Sequence, residues 1–295
     1  MKKMILAGGS GYLGRLLIQH FRHEYDIFVL TRSGKSGNGF TPILWDAKTI
    51  DSWAEKLENA DVLINLTGEN INTSFTESNK KKILNSRIES TDILGKAVMQ
   101  LVNPPKIWLN ASAIAVYEES ESLARDEYDT TFGNDFLAVV SRKWEETFNQ
   151  FHRNTMLKAV FRISMILGDT PGSAYKTLKT LVRLGGGGKA GSGKQMVSWM
   201  GEQDFVNAIE FIIENSLEGE FNFCNPKALS NKEFMQELRK KMGVPIGIPT
   251  PEFLLKIGAG IIGTAPDLVL RSQNVIPKRL IENGFVFEQT QISDI

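Results

Sequence analysis

The feature that most constrains this chain is "GGSGYLG" (residues 8–14), which follows the apolar run "MILA" (4–7) and leads into an amphipathic segment beginning at Tyr12. Glycines at 8, 11 and 14, set between a strand and a helix, serve three separate ends. Gly8 permits a tight turn, Gly11 lets a bound group approach the backbone, and Gly14 lets helix and strand pack closely. The helix start, at Tyr12, Leu13 and Gly14, then offers N–H groups without intrahelical partners and a partial positive charge, which suit a pyrophosphate. Such a turn alone is weak evidence; inside a run of strand–helix units it predicts dinucleotide binding.

Those units are present. Short apolar runs "MILA", "DIFVLT", "PILW", "DVLINLT", "KIWLNAS" and "LKAVFRI" alternate with helical patterns at 12–23, 52–57, 77–101 and 136–151. Strands alternating with helices imply right-handed crossovers and a parallel sheet, so the expected fold class is α/β, a Rossmann-type doubly wound sheet. After Ile166 the pattern becomes helix-rich, with Pro and Gly punctuation as in "GVPIGIPTPEF" and "VIPKRL". The expected domains are therefore 1–165, which binds the dinucleotide, and 166–295, a smaller substrate lobe, with a helix at 203–216 packing back on the first. The run "FLLKIGAGIIG" (253–263) reads as a short helix, well below the ~20 residues of a bilayer span.

Charge and cysteine usage narrow the partners. Lys plus Arg and Asp plus Glu both total 34, which gives no basic excess for nucleic acid. A single cysteine, Cys224, excludes an internal disulfide, and His20, His23 and His152 lack metal-ligand spacing. These point to a small-molecule partner, no metal, no membrane, and a reducing, cytoplasmic setting. The long helices are compatible with a homodimer, although the same periodicity serves ordinary core packing.

The second strand ends in "FVLTRSGKSG", placing Thr31, Arg32 and Ser33 where an acidic residue would grip the adenine ribose hydroxyls of NAD. Arg32 can instead pair with a 2′-phosphate, which a carboxylate would repel, so the expected cofactor is NADP(H). Asp46, at the end of the third strand, is placed to reach the adenine amino group. Thr67, Gly68 and Glu69, at the end of the fourth, are placed at the ribose and nicotinamide side.

Taken with the glycine turn, "NLTGE", "NSRIEST", "NASAIAVY" and "FRISMILG" make nearly the whole chain resemble extended short-chain dehydrogenases/reductases of the NAD-dependent epimerase/dehydratase type. "FLAVVSRKWE", "GSGKQMVSW" and "IPKRLIENGFVF" resemble more narrowly an atypical subgroup of epimerase family proteins with its own C-terminal domain. The resemblance implies a nucleoside-diphosphate-sugar epimerase or oxidoreductase. In typical members a serine polarises the substrate, a tyrosine transfers the proton, and a lysine four residues later lowers the tyrosine pKa. Ser112 matches the serine, but Leu137 and Ser141 stand at the other two positions, and Arg87 replaces the usual asparagine. Ser112, Arg87 and Tyr117 are therefore the candidate catalytic residues. Two readings follow: an oxidoreductase working without the tyrosine–lysine dyad, or a catalytically silent NADP(H)-binding sensor acting through a protein partner.

Two patterns are set aside. Tyr175 and Lys179 have the dyad's spacing but follow the sixth strand, on an expected surface helix. "GKAGSGKQ" (188–195) has Gln195 where a phosphate-binding loop needs Ser or Thr, and no strand leads into it. By resemblance Lys194, Gln195 and Trp199 face a ligand, while Met200 and Gly201 stand where the subgroup often has a histidine.

Overall fold

In the computed structural model, which describes residues 1–255 and 265–295, the glycine turn lies at the centre of a seven-stranded sheet. Strands β1 (Lys2–Ala7), β2 (Tyr25–Thr31), β3 (Thr41–Leu44), β4 (Val62–Asn65), β5 (Ile107–Ala113) and β6 (Leu157–Ile163) match the six expected runs. Short strands β7 (Met165–Leu167), β8 (Met196–Val197) and β9 (Trp199–Gly201) precede β10 (Gly219–Phe223), and β11 (Leu229–Ser230) follows it. The sheet order is β3-β2-β1-β4-β5-β6-β10, with every pairing parallel. This is the doubly wound order, reversing between β1 and β4 directly above the glycine turn, where such sheets bind ligands.

The near-continuous apolar runs follow from helices covering both faces. In β1, Met4 and Leu6 pack with Leu17 of helix α1 (Tyr12–Phe21), whereas Ile5 and Ala7 pack with Leu94 and Val98 of helix α2 (Glu77–Gln100). Helix α3 (Phe136–Asn149) lies on the α2 side, where Phe148 packs edge-on against Trp108 at 4.8 Å. Asp135 starts α3 by accepting from the N–H groups of Leu137 and Ala138. The predicted helix at 52–57 is only a 3-10 turn, Ala54–Leu57.

Helix α4 (Ala174–Arg183) begins the second half, and α5 (Glu202–Glu214) places Phe205, Ile209 and Ile212 in the α1-side core. The chain then re-enters the main sheet through β10, inside the span assigned above to the second lobe. "GEFNF" is a short edge strand with only Phe221 and Phe223 to signal it, set between helix α5 and the two-residue strand β11. Helices α6 (Asn231–Lys241), α7 (Asp267–Leu270) and α8 (Lys278–Glu282) complete the helical C-terminal region. A separate core gathers Leu167, Tyr175, Val182, Trp199, Phe234 and Leu238. The expected helix at 253–263 falls mostly on residues outside those described. No helix among the described residues is long and apolar enough to cross a membrane.

A Cβ built on Gly14 would lie 2.3 Å from the carbonyl oxygen of Gly9 and 2.4 Å from its Cα, so the first turn of α1 rests on the glycine loop itself. Gly14→Ala must push the two backbones apart. Its predicted cost is about 1–3 kcal/mol, the usual range for overpacking, seen as a lower urea midpoint at unchanged slope.

Candidate functional site

The carboxyl ends of β1, β2 and β4 converge on the glycine loop. Gly8 has φ +78°, and a Cβ there would lie 2.9 Å from the Leu66 carbonyl carbon and the Thr67 nitrogen. Only glycine lets this turn pass so close to the end of β4. Gly11 is the N-cap of α1 in extended conformation; no side chain caps the helix, and its first turn carries no acidic residue. The helix start at Tyr12, Leu13 and Gly14 thus faces the loop with uncompensated donors, as an anion site requires. The buried Thr67 Oγ1 beside it has no hydrogen-bond partner among the described residues. An unfilled donor set and an orphaned hydroxyl fit the pyrophosphate and ribose of a dinucleotide.

Arg32 is exposed beyond β2, with no ion pair or hydrogen bond to any of the described residues, and Lys35 is exposed three residues on. Thr31 is buried, its Oγ1 3.3 Å from Ser33 Oγ. Asp46 is exposed, but its carboxylate closes its own turn, accepting from Lys48 N–H at 2.8 Å, Thr49 N–H at 2.9 Å and Thr49 Oγ1 at 2.8 Å. These bonds lower its pKa. The Tyr12 phenol turns away from the loop and donates to Glu202 Oε1 at 2.8 Å, while Glu202 also accepts from Thr170 N–H and Oγ1. Tyr12 therefore joins the start of α1 to α5.

The β4 end is fixed from below by buried polar side chains. Asn65 Nδ2 donates to Thr91 Oγ1 at 2.9 Å and Asn110 Oδ1 at 2.8 Å, and its Oδ1 accepts from Thr67 N–H at 3.1 Å. Arg87 donates from Nη1 to the carbonyls of Glu69 (3.1 Å) and Ile83 (3.0 Å) and stacks 5.1 Å from the Trp144 ring centre. Ser86 Oγ accepts from Glu69 N–H, so α2 grips the Gly68–Glu69 loop twice. Burial depresses the Arg87 pKa, to about 10, with Glu69 opposing that shift, and the guanidinium stays cationic at neutral pH. Arg87 is thus a tie between α2 and the β4 loop.

Ser112 and Tyr117 belong to one buried network. Ser112 Oγ donates to Glu145 Oε1 at 2.6 Å, and Arg162 grips the same carboxylate through Nε at 2.9 Å and Nη2 at 2.8 Å. Arg162 Nη1 donates to the Tyr117 oxygen at 2.7 Å, and that phenol donates to Asn222 Oδ1 at 3.0 Å. Burial works against the charge on Arg162, yet Glu145 and Tyr117 outweigh it and hold its pKa above the usual arginine value. Burial likewise pushes the Tyr117 phenol well above its ordinary pKa, although Arg162 and Asn222 oppose it. Leu137 is buried on α3, and one turn later Ser141 spends its hydroxyl on the Leu137 carbonyl at 2.9 Å.

Glu145, Arg162 and Asn222 were not singled out by sequence. The available signal was Arg162, a charge in the apolar strand "LKAVFRI", whose remote partner no local pattern reveals. Tyr175 and Lys179 do lie on a surface helix, α4, but Tyr175 faces inward to the second core, with Lys179 above its ring and tied to Asp169. Gln195 is buried and donates to the Ala190 carbonyl, and Trp199 is buried in that same core.

Comparison with known proteins agrees with this geometry. Residues 4–224 match the NAD dependent epimerase/dehydratase family, and residues 250–294 match a domain of unknown function, DUF1731. Epimerase family protein SH2119 of Staphylococcus haemolyticus is 33% identical over 296 residues, covering 99% of this chain and 97% of its own. The crystal structure of human epimerase family protein SDR39U1 (isoform 2) with NADPH superposes with a TM-score of 0.87 at 28% identity, covering 99% of this chain and 97% of that one. A nucleoside-diphosphate sugar epimerase from Corynebacterium glutamicum superposes with a TM-score of 0.78 at 25% identity, covering 99% of this chain but 56% of that one. From its glycine turn through β10, this chain belongs to the NAD dependent epimerase/dehydratase family.

Proposed function

We propose that this protein is an NADP(H)-binding oxidoreductase of the atypical extended short-chain dehydrogenase/reductase type, acting on a small molecule without a tyrosine–lysine dyad. The observation that carries the reading is the uncapped, acid-free start of α1 beside a β2 tip that bears an exposed Arg32. The human relative determined with NADPH supports the same cofactor. The α1 amides and glycine loop would hold the pyrophosphate, Arg32 with Ser33 and Lys35 the 2′-phosphate, and Thr67 to Glu69 the ribose nearer the nicotinamide. Asp46 keeps a role at the adenine only through lone pairs its own turn leaves free. When bound, the nicotinamide supplies or accepts a hydride.

The chain's own groups define what else is possible. Ser112 donates to a carboxylate, so toward a substrate its oxygen acts as an acceptor and suits a hydroxyl better than a carbonyl. Tyr117 keeps its proton on Asn222 and orders the ends of β5 and β10. Leu137 and Ser141 offer no proton relay. Proton transfer then falls to solvent, to the substrate or to Arg87-ordered water, and the missing general acid lowers turnover by roughly 10²–10⁴-fold. The Corynebacterium relative, called a nucleoside-diphosphate sugar epimerase, brings sugar nucleotides into the screen. A second reading, an NADP(H) sensor without redox chemistry, is favoured by the commitment of both the Ser112 and Tyr117 protons to internal partners.

Three outcomes are expected. In direct titrations of cofactor-free protein, NADPH binds more tightly than NADH, and Arg32→Ala lowers NADPH affinity roughly ten- to hundred-fold, as loss of a charge-assisted bond should, with NADH unchanged. Equal affinities for the two nucleotides would remove NADP(H) from the reading. Ser112→Ala leaves NADPH affinity intact and abolishes NADPH formation or oxidation with any alcohol or carbonyl that wild type turns over; inactivity across a broad panel would leave the sensor reading. Glu145→Ala strands the buried Arg162 charge and costs about 3–5 kcal/mol in chemical denaturation, most of it recovered by adding Arg162→Met.

A further inference from the structure

A cavity of about 310 Å³ opens where α3 begins, between the carboxyl edge of the sheet and α7. It is lined by Phe75 from the loop after β4, Glu119 from the loop after β5, Phe136 and Leu137 of α3, and Asp267 and Leu270 of α7. Its size suits a small organic ligand, and its place beyond the strand ends is that of a substrate pocket in an open α/β sheet. The Phe75 and Phe136 rings meet edge-on at 5.2 Å and form an apolar wall together with Leu137 and Leu270.

The charges around that wall do not balance. Arg271 also borders the cavity, but it is paired with Asp135, and its Nη2 donates to the carbonyls of Ala115 at 2.9 Å and Tyr117 at 3.2 Å. Its side chain is 7% exposed, so the guanidinium is neutralised and enclosed. Lys80, 5.7 Å from the Phe136 ring, is paired with Glu77 at 3.0 Å. Glu119 and Asp267 remain exposed; among the described residues the Glu119 carboxylate accepts only from Ser272 N–H, and the Asp267 carboxylate has no partner. An aromatic wall flanked by two uncompensated carboxylates attracts an organic cation, through charge and through the ring faces, and repels phosphate.

We propose that this cavity is the substrate subsite and that it takes the apolar, ammonium-bearing part of the substrate rather than a diphosphate. The proposal rests on the oxidoreductase reading only for the word substrate; the charge preference stands on the cavity alone. Ligand-observed NMR titrations of the full chain, with and without NADPH, would compare phenethylammonium, phenylacetate and uridine diphosphate. The expected result is phenethylammonium binding at least about ten-fold more tightly than either anion, the size of effect two partly exposed charge pairs provide. A Glu119→Gln/Asp267→Asn double variant, with NADPH affinity unchanged, should bring phenethylammonium and phenylacetate close to parity, and Phe75→Ala should weaken both. Tighter binding of either anion, no binding of phenethylammonium, or a preference that survives the double variant would overturn the proposal. Loss of NADPH binding in wild type would instead count against the cofactor reading, and the ammonium preference would still decide this one.

Discussion

The bidentate pair between Arg162 and Glu145 is the interaction on which the site's geometry depends. Arg162 stands in β6, where neighbouring residues are apolar and buried, and without Glu145 its charge would be uncompensated. Through that pair, α3 is fixed to β6, Ser112 to α3, and Tyr117 to β10 by way of Asn222. Asn222 Nδ2 also donates to the Ile276 carbonyl, carrying the order into the C-terminal residues. The Arg162 guanidinium lies 5.2 Å from the Tyr117 ring centre and 5.9 Å from that of Phe132, so aromatic faces complete its shell. A buried ion pair of this kind is a poor source of net stability but strongly penalises any arrangement that parts it. It fixes the middle of α3 against β6, and so the position at which Leu137, two turns earlier on the same helix, meets the cleft.

Legibility in the sequence followed the range of the interactions involved. The glycine turn, the six first strands and the parallel order could be read because each rests on local periodicity or on residues within one strand–helix unit. Arg32 could be read because the absence of an acid at a strand tip is itself local. Glu145 and Arg162 could not be paired, since they sit 17 residues apart on different elements and meet only after the crossover forms. Strand β10 is not legible for a related reason: its partner β6 is distant in sequence, and five residues with two phenylalanines carry no pattern that separates a strand from a loop. The motifs "NLTGE", "NSRIEST" and "NASAIAVY" were legible as a resemblance. Their physical content, Asn65 bonded to Thr91 and Asn110 so as to hold Thr67, required the fold.

The two halves of the chain are joined at the cofactor end as well as at the cleft. Tyr12, the residue after the glycine N-cap, is bound to Glu202, and a Cβ on Gly168 would collide with that carboxylate at 2.2 Å or less. Arg15, one turn into α1, donates to the carbonyls of Ser10 and Pro171. The 168–173 segment is therefore packed on the start of the nucleotide-binding helix, and α5 bears on the same core as α1. A cofactor seated on the glycine loop would lie between these elements, with the Ser112 network and the aromatic cavity on its nicotinamide side.

The most direct test of this account is a crystal structure of the protein with NADPH. The account predicts the pyrophosphate on the amides at the start of α1, the 2′-phosphate against Arg32, a ribose hydroxyl on Thr67 Oγ1, and the nicotinamide facing Ser112. A nucleotide bound elsewhere, or one whose 2′-phosphate leaves Arg32 untouched, would contradict it.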